Sequence, residues 1–189
     1  MDVHGNQYLD GISSLWTNVH GHNHPVINQA IEAQLNRVAH STLLGQAGRP
    51  SIELARQLSL LLESIPGTTA PLRRTFFSDS GSTAVEVALK MAFQFHQQTG
   101  QQQRTRFAAL TEAYHGDTIG SVSVGGIDLF HQIYRPMLFD AVRIPAPDRP
   151  DHTAEAECLT EAEAMFEAHG DDIAALVVEP LVQGAAGMR

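Results

Sequence analysis

With 189 residues, 43% of them apolar and 17% charged, the chain is long enough for a real core and too apolar to be a disordered segment. A net charge of -9 opposes a nucleic-acid partner, which demands a basic face. The single cysteine, Cys158, excludes an internal disulfide and fits a reducing compartment.

Taken in chain order, Asp2 to Asp10 predicts a hairpin with Gly5-Asn6 at its turn. The start is no signal peptide, because Asp2, His4, Asn6 and Gln7 interrupt it. No later window approaches a membrane span, so the cytoplasm is the expected location. Gly21-His22-Asn23-His24-Pro25 predicts a loop entering a helix, with Pro25 in the first turn and Ile27, Ile31, Leu35 and Val38 at helical spacing. A second helix is expected from about Ser51, carrying Leu54, Ala55, Leu58, Leu61 and Leu62 and closing at Pro66-Gly67.

From Arg73 the rhythm changes. Strands are expected at Arg73–Ser78, Arg106–Thr111, Ala141–Ile144 and Ile173–Glu179, with helices at Thr83–Gln98, Asp128–Arg135 and Thr153–His169. Glu155, Glu157, Glu161, Glu163 and Glu167 read as a solvated face of the last helix, and Gln101-Gln102-Gln103 as a surface loop. Strands alternating with helices imply an α/β fold, with a mostly parallel sheet covered on both faces by right-handed crossovers. The last strand is apolar throughout, as expected of one buried on both sides. Ligands in such sheets sit at the carboxyl ends of strands, which gathers Ser80 to Thr83, Tyr114 to Asp117 and Glu179 on one rim.

The run Ser78-Asp79-Ser80-Gly81-Ser82-Thr83 is the most informative on that rim. A helix start leaves backbone N–H groups unpaired and adds partial positive charge, and Gly81 admits close backbone approach. Hydroxyls at Ser80, Ser82 and Thr83 complete a cradle suited to phosphate. The alternative is a merely capped helix, because Thr83-x-x-Glu86 is a capping box by itself. Tyr114 is either a stacking surface for a planar cofactor or a ring closing the sheet end. Glu179 is either an orienting carboxylate or a cap for the loop behind it. His20, His22 and His24 alternate, yet Gly21, Asn23 and Pro25 mark a turn that keeps them off one face, and no cysteine or carboxylate is expected close by to complete a shell, so no metal site is expected. Neither a nucleophile elbow nor a dinucleotide fingerprint is present.

Five stretches, in order along nearly the whole chain, carry a resemblance. They are Tyr8 to Trp16, Val19 to Pro25, Ser78 to Ser82, Tyr114 to Thr118 and Glu179 to Gly184. Together they resemble the class III pyridoxal-phosphate aminotransferases, within them the branch serving biotin biosynthesis. The resemblance implies part of the large domain of a fold type I transferase, with residues 1–45 as an N-terminal hairpin and helix segment and 46–189 as an incomplete cofactor domain. It implies that Gly81 and Ser82 bind the cofactor phosphate, that Tyr114 stacks on its ring and lines the substrate pocket, and that Glu179 belongs to the cofactor site. Leu15 and Trp16 match a substrate-contacting doublet. Members that use S-adenosylmethionine often carry Trp-Trp there, so the amino donor stays open between S-adenosylmethionine and lysine. Ala185 stands where ornithine- and GABA-type relatives carry glutamate, which favours the biotin branch.

The resemblance further implies a homodimer, small-molecule substrates, and a Schiff-base lysine lying beyond Arg189, so that no catalytic residue is expected within this chain. The loop from Gln183 to Arg189 has no closing helix, and the chain reads as a fragment also cut at its start. Lys90, the only lysine, is no substitute: it lies about 12 Å along the helix from Ser82 at ~1.5 Å per residue and is expected to pair with Glu86.

Overall fold

The structure is a computed structural model that describes residues 1–67, 70–147, 152–185 and 187–188. It falls into two compact units, Met1–Thr75 and Phe76–Arg189.

The first unit opens on a turn rather than a hairpin. Asp2 accepts hydrogen bonds from the Asn6 and His4 backbone, the Asn6 amide and the Tyr8 hydroxyl, so the turn satisfies its donors locally and forms no ladder. A single turn, α1 (Ser13–Trp16), follows with positive φ at all four residues. Helix α2 (Pro25–Leu35) starts as expected, with His24 at the N-cap and Pro25 in the first turn. Val38 lies beyond its end. Helix α3 (Arg49–Glu63) is amphipathic and runs out at a Pro66-Gly67 turn, where Gly67 has φ +86°. None of these three helices contains a buried residue.

The second unit is a three-layer α/β body. Helix α4 (Gly81–Gln98) precedes β1 (Arg106–Leu110). Then come α5 (Ile119–Val124), α6 (Asp128–His131) with a 3-10 turn over Gln132–Met137, β2 (Val142–Ile144), α7 (His152–His169) and β3 (Ile173–Val177). The sheet order is β2-β1-β3 and both pairings are parallel. Phe107, Ala109 and Val124 pack with Leu89, Val85 and Ala92 of α4 on one face. On the other, Ala108, Val142, Ile144 and Ile173 pack against Ala162 and Met165 of α7. Burying each large apolar side chain contributes about 1.5–3 kcal/mol, and β1, central and buried at three successive residues, contributes to the core on both faces of the sheet.

Two strand expectations change. Arg73–Ser78 forms no ladder among the described residues, because an apolar run becomes a strand only beside a partner and the described sheet offers it none. The last strand, β3, is not buried on both sides: it lies at an edge of the sheet, and Leu176 is 44% exposed. Helix α5, with its small residues Gly120, Ser121 and Ser123 all buried, has no counterpart in the sequence reading. The acidic residues of α7 are exposed, as expected. No helix among the described residues is long and apolar enough to cross a membrane.

Candidate functional site

At the rim of the second unit, helix α4 begins at Ser80, three residues before the sequence-predicted cap. The Ser80 hydroxyl accepts from Thr83 N–H at 3.3 Å, while Thr83 Oγ1 accepts from Ser80 N–H at 3.0 Å. Thr83 is therefore the third helical residue, and Glu86 is free for another task. Its carboxylate accepts the Gly120 N–H at 2.6 Å. The expected Glu86–Lys90 ion pair is absent among the described residues, since Glu86 is turned toward α5 and Lys90 stays exposed.

With the cap satisfied by Ser80 and Thr83, the N–H groups of Gly81 and Ser82 have no hydrogen-bond partner among the described residues. A Cβ built on Gly81 would meet nothing within 4 Å, so the space in front of these amides is open. An anion fits there on both counts: two free donors at a helix N-terminus and room to approach them. Ser82 also ties this corner to the next loop. Its Oγ accepts Asp117 N–H at 3.1 Å and its carbonyl accepts the Ser121 hydroxyl at 3.1 Å, leaving its own O–H able to donate.

That second loop is the one carrying Tyr114. It leaves β1 through Glu112, at φ +57°, and Ala113, fully buried, and folds back at Gly116, at φ +124°. A Cβ on Gly116 would sit 2.1 Å from Ser82 Oγ, so only glycine lets the loop seat on the helix start. The Tyr114 hydroxyl donates to Asp117 at 2.7 Å, which raises the phenol above its usual range. One ring face is stacked on His131, with centroids 6.2 Å apart and planes 12° from parallel. Nothing in the sequence singled out His131, and Glu86 was expected to cap α4 or pair with Lys90, not to reach Gly120.

Of the two expectations for Glu179, the loop cap is the one whose bond is present. One carboxylate oxygen accepts Gly184 N–H at 2.9 Å and ties down the loop. The other is buried without a partner, as are His115 Nε2 and Gln183 Oε1. Burial lowers the His115 imidazole against the raising effect of Glu179. Orphaned polar atoms at the rim beside an open helix N-terminus are what a polar cofactor would leave when its contacts are removed. Ala186 and Arg189, part of the loop read from sequence, lie outside the described residues. A separate cavity of about 860 Å³ is lined by Thr111, Ser123, His131, Phe139 and Arg143, and contains none of Gly81, Ser82, Tyr114 or Glu179.

In the first unit, Leu15 and Trp16 lie in the left-handed turn, 69% and 55% exposed. The histidines do not converge: His22 Nε2 is 2.9 Å from Asp10, while His20 and His24 meet edge to face at 5.8 Å. A carboxylate does reach His22, contrary to the sequence reading, because the chain turns back between them. No group of three metal-capable side chains occurs among the described residues.

The parallel α/β sheet with flanking helices is the fold of PLP-dependent aminotransferases, fold type I. The solved structures it matches share that fold. An adenosylmethionine-8-amino-7-oxononanoate aminotransferase from Methanocaldococcus jannaschii superposes with a TM-score of 0.87 at 40% identity, over 99% of this chain and 40% of that one. An amine transaminase from an uncultivated Pseudomonas species, in a PLP-bound form, gives 0.87 at 36% identity, over 98% of this chain and 43% of that one.

The family model for aminotransferase class-III matches residues 1–189, and the chain belongs to that family. It is 58% identical to an adenosylmethionine-8-amino-7-oxononanoate aminotransferase of Nitratidesulfovibrio vulgaris, across the whole chain and 35% of that protein. It is 49% identical to one of Geobacter sulfurreducens, across 42% of that protein. The chain thus spans well under half the length of these relatives.

Proposed function

We propose that this chain is the cofactor-cradling portion of a pyridoxal-phosphate aminotransferase of biotin biosynthesis, converting 8-amino-7-oxononanoate to 7,8-diaminononanoate. The observation that carries the reading is the open start of α4, with free Gly81 and Ser82 amides docked through Ser82 onto the Tyr114 loop. The names of the similar proteins support the substrate, and they favour S-adenosylmethionine as donor over lysine.

The roles assigned in this reading are those the family resemblance implies, supported by the site's geometry. Gly81 and Ser82 donate N–H groups, and Ser82 its hydroxyl, to the cofactor phosphate. Tyr114 offers the ring face turned away from His131, and Asp117 holds its phenol protonated. Glu179 orients the polar edge of the site with its unpaired oxygen while the other fixes the loop. Leu15 and Trp16 supply apolar wall for the substrate. When bound, pyridoxal phosphate supplies an electron-withdrawing ring that stabilises negative charge at the amine carbon. Lys90 has no part in this, and none of the residues here is assigned the covalent lysine role. The reading includes a cytoplasmic homodimer, with residues 1–45 as an N-terminal segment and 46–189 as an incomplete large domain.

The test is a pyridoxal-phosphate titration of the full-length enzyme, followed by absorbance. Gly81→Val should abolish binding by blocking backbone approach, and unchanged affinity would overturn the cradle. Incubation with 8-amino-7-oxononanoate and either donor should yield the diamine by mass spectrometry. Turnover of other amines alone would replace the biotin assignment with a broader ω-aminotransferase activity, such as the Paracoccus denitrificans structure is named for (TM-score 0.86, 28% identity).

A further inference from the structure

We propose that Asp10, supported by His22, is a positioning residue that locks Ser13–Trp16 in a left-handed turn and so fixes Leu15 and Trp16 as a rigid specificity wall. The inference rests on the aminotransferase reading for the wall's use, and on the turn's own geometry for the lock.

Four successive residues, none of them glycine, have φ of 49°, 50°, 57° and 67°. For Ser14 and Leu15 ψ is 55° and 58°, which is a left-handed helical turn. Each such residue crowds its Cβ against the following carbonyl, so a run of four persists only where surrounding bonds over-determine it. The bonds present do this. Trp16 N–H donates to Ile12 O at 2.9 Å and Thr17 N–H to Ser13 O at 3.0 Å, closing the turn from within.

From outside, one carboxylate grips it. Asp10 Oδ2 accepts Ser14 N–H at 2.8 Å and the Ser14 hydroxyl at 3.0 Å, while Oδ1 accepts Ile12 N–H at 3.3 Å. These bonds hold the Asp10 carboxyl below the usual range, the Ser14 hydroxyl contributing most.

The carboxylate is itself held. His22 Nε2 lies 2.9 Å from Asp10 Oδ2, and His22 Nδ1 is 2.8 Å from Asn18 Nδ2. Asn18 Nδ2 can only donate, so Nδ1 is the acceptor of that bond and Nε2 is the ring nitrogen that faces Asp10. His22 therefore completes a chain of bonds from Asn18 through Asp10 to Ser14. The result presents Leu15 and Trp16 outward in a conformation that a right-handed turn could not reproduce.

The experiment uses the full-length enzyme, wild type and Asp10→Ala, with Asp10→Asn as the milder variant should the first not fold. In cofactor-free protein, amide exchange at Ser14, Trp16 and Thr17 should accelerate roughly tenfold or more, with Ala108 and Ala109 of β1 unchanged. In the loaded enzyme, KM for the keto substrate should rise on the order of tenfold, with cofactor absorbance intact and kcat within about threefold. Adding Ser13→Gly to Asp10→Ala should recover most of the KM, because glycine adopts positive φ without strain. Unchanged exchange in Asp10→Ala would overturn the lock. A fall in kcat at constant KM, or no recovery with Ser13→Gly, would overturn the specificity role. Wild-type enzyme that binds cofactor but transaminates nothing would sink the enzyme reading and the wall with it, while an exchange result as expected would still uphold the lock.

Discussion

Residues 1–75 and 76–189 both carry apolar runs at regular spacing but use them to opposite ends. In the second unit Phe107, Val124, Val142 and Ile144 are buried on the two faces of a sheet. In the first, Ile27, Ile31, Leu35, Leu54 and Leu61 repeat at helical spacing yet remain 44% to 62% exposed. Periodicity reports that an apolar stripe exists, not what covers it. Order in the first unit is instead local: a carboxylate at Asp2 and another at Asp10 each gather the donors of one turn. Order in the second is long-range, carried by bonds such as Gly120 to Glu86 and Asp117 to Ser82.

The contrast is broken most directly by truncating one apolar side chain in each unit. Phe107→Ala removes a ring 7% exposed and packed at 5.7 Å from Phe139, and should cost about 3–5 kcal/mol by urea denaturation. Leu54→Ala, at a position 50% exposed, should cost under about 1 kcal/mol. Equal losses would mean that α3 is buried as deeply as the sheet.

Glycines sharpen the same comparison. Gly116→Ala meets both positive φ and a Cβ 2.1 Å from Ser82 Oγ, so it should cost about 2–3 kcal/mol and weaken cofactor binding by opening the Ser82–Asp117 contact. Gly5→Ala has φ +85° but nothing within 4 Å, and should cost about 1–2 kcal/mol with binding unaltered. Thermal melts with and without pyridoxal phosphate separate the two effects.

A smaller difference is expected for carboxylates. Glu86→Ala strips Gly120 N–H of its acceptor and should cost about 1–3 kcal/mol, with Glu86→Gln milder because an oxygen remains. Glu53→Gln breaks a surface pair with Arg56 one turn away and should leave the denaturation midpoint unmoved.

How much of this was legible follows the same division. Strands β1, β2 and β3 and helices α3, α4 and α7 were readable because their apolar repeat matches one period over several turns or one continuous run. The edge position of β3 was not, since an all-apolar strand looks alike at the centre and at the margin. Helix α5 hid because Ile-Gly-Ser-Val-Ser-Val alternates like a strand while its small residues pack against α4. Gly81, Ser82 and Tyr114 were read from motif, and the structure brings Ser82 and the Tyr114 loop together. Glu86 was misread because a local i,i+4 partner, Lys90, competed on paper with Gly120, a donor 34 positions away. The left-handed turn left no trace in composition, since Ser-Ser-Leu-Trp contains none of the residues that advertise positive φ.

The gentlest probe of the two units is acid. Burial lowers the His115 imidazole, so the folded second unit favours the neutral ring. A depressed histidine contributes stability that is present above its unfolded value of about 6.5 and is lost as pH falls through the lower folded one. The Asp2 carboxyl of the first unit is lowered to about 2, chiefly by the Asn6 side chain. Its contribution is present above the usual carboxylate range and lost only as pH falls through that value. Acid should therefore loosen amides around Ala113 to Asp117 once pH falls below the free imidazole value of about 6.5, while the Asp2–Asn6 turn stays protected, as read by hydrogen exchange across a pH series corrected for intrinsic rate. His115→Gln should remove that step and leave the turn's own acid transition in place. A turn that opens first, or a step that survives His115→Gln, would assign the acid sensitivity of the rim to some group other than this imidazole.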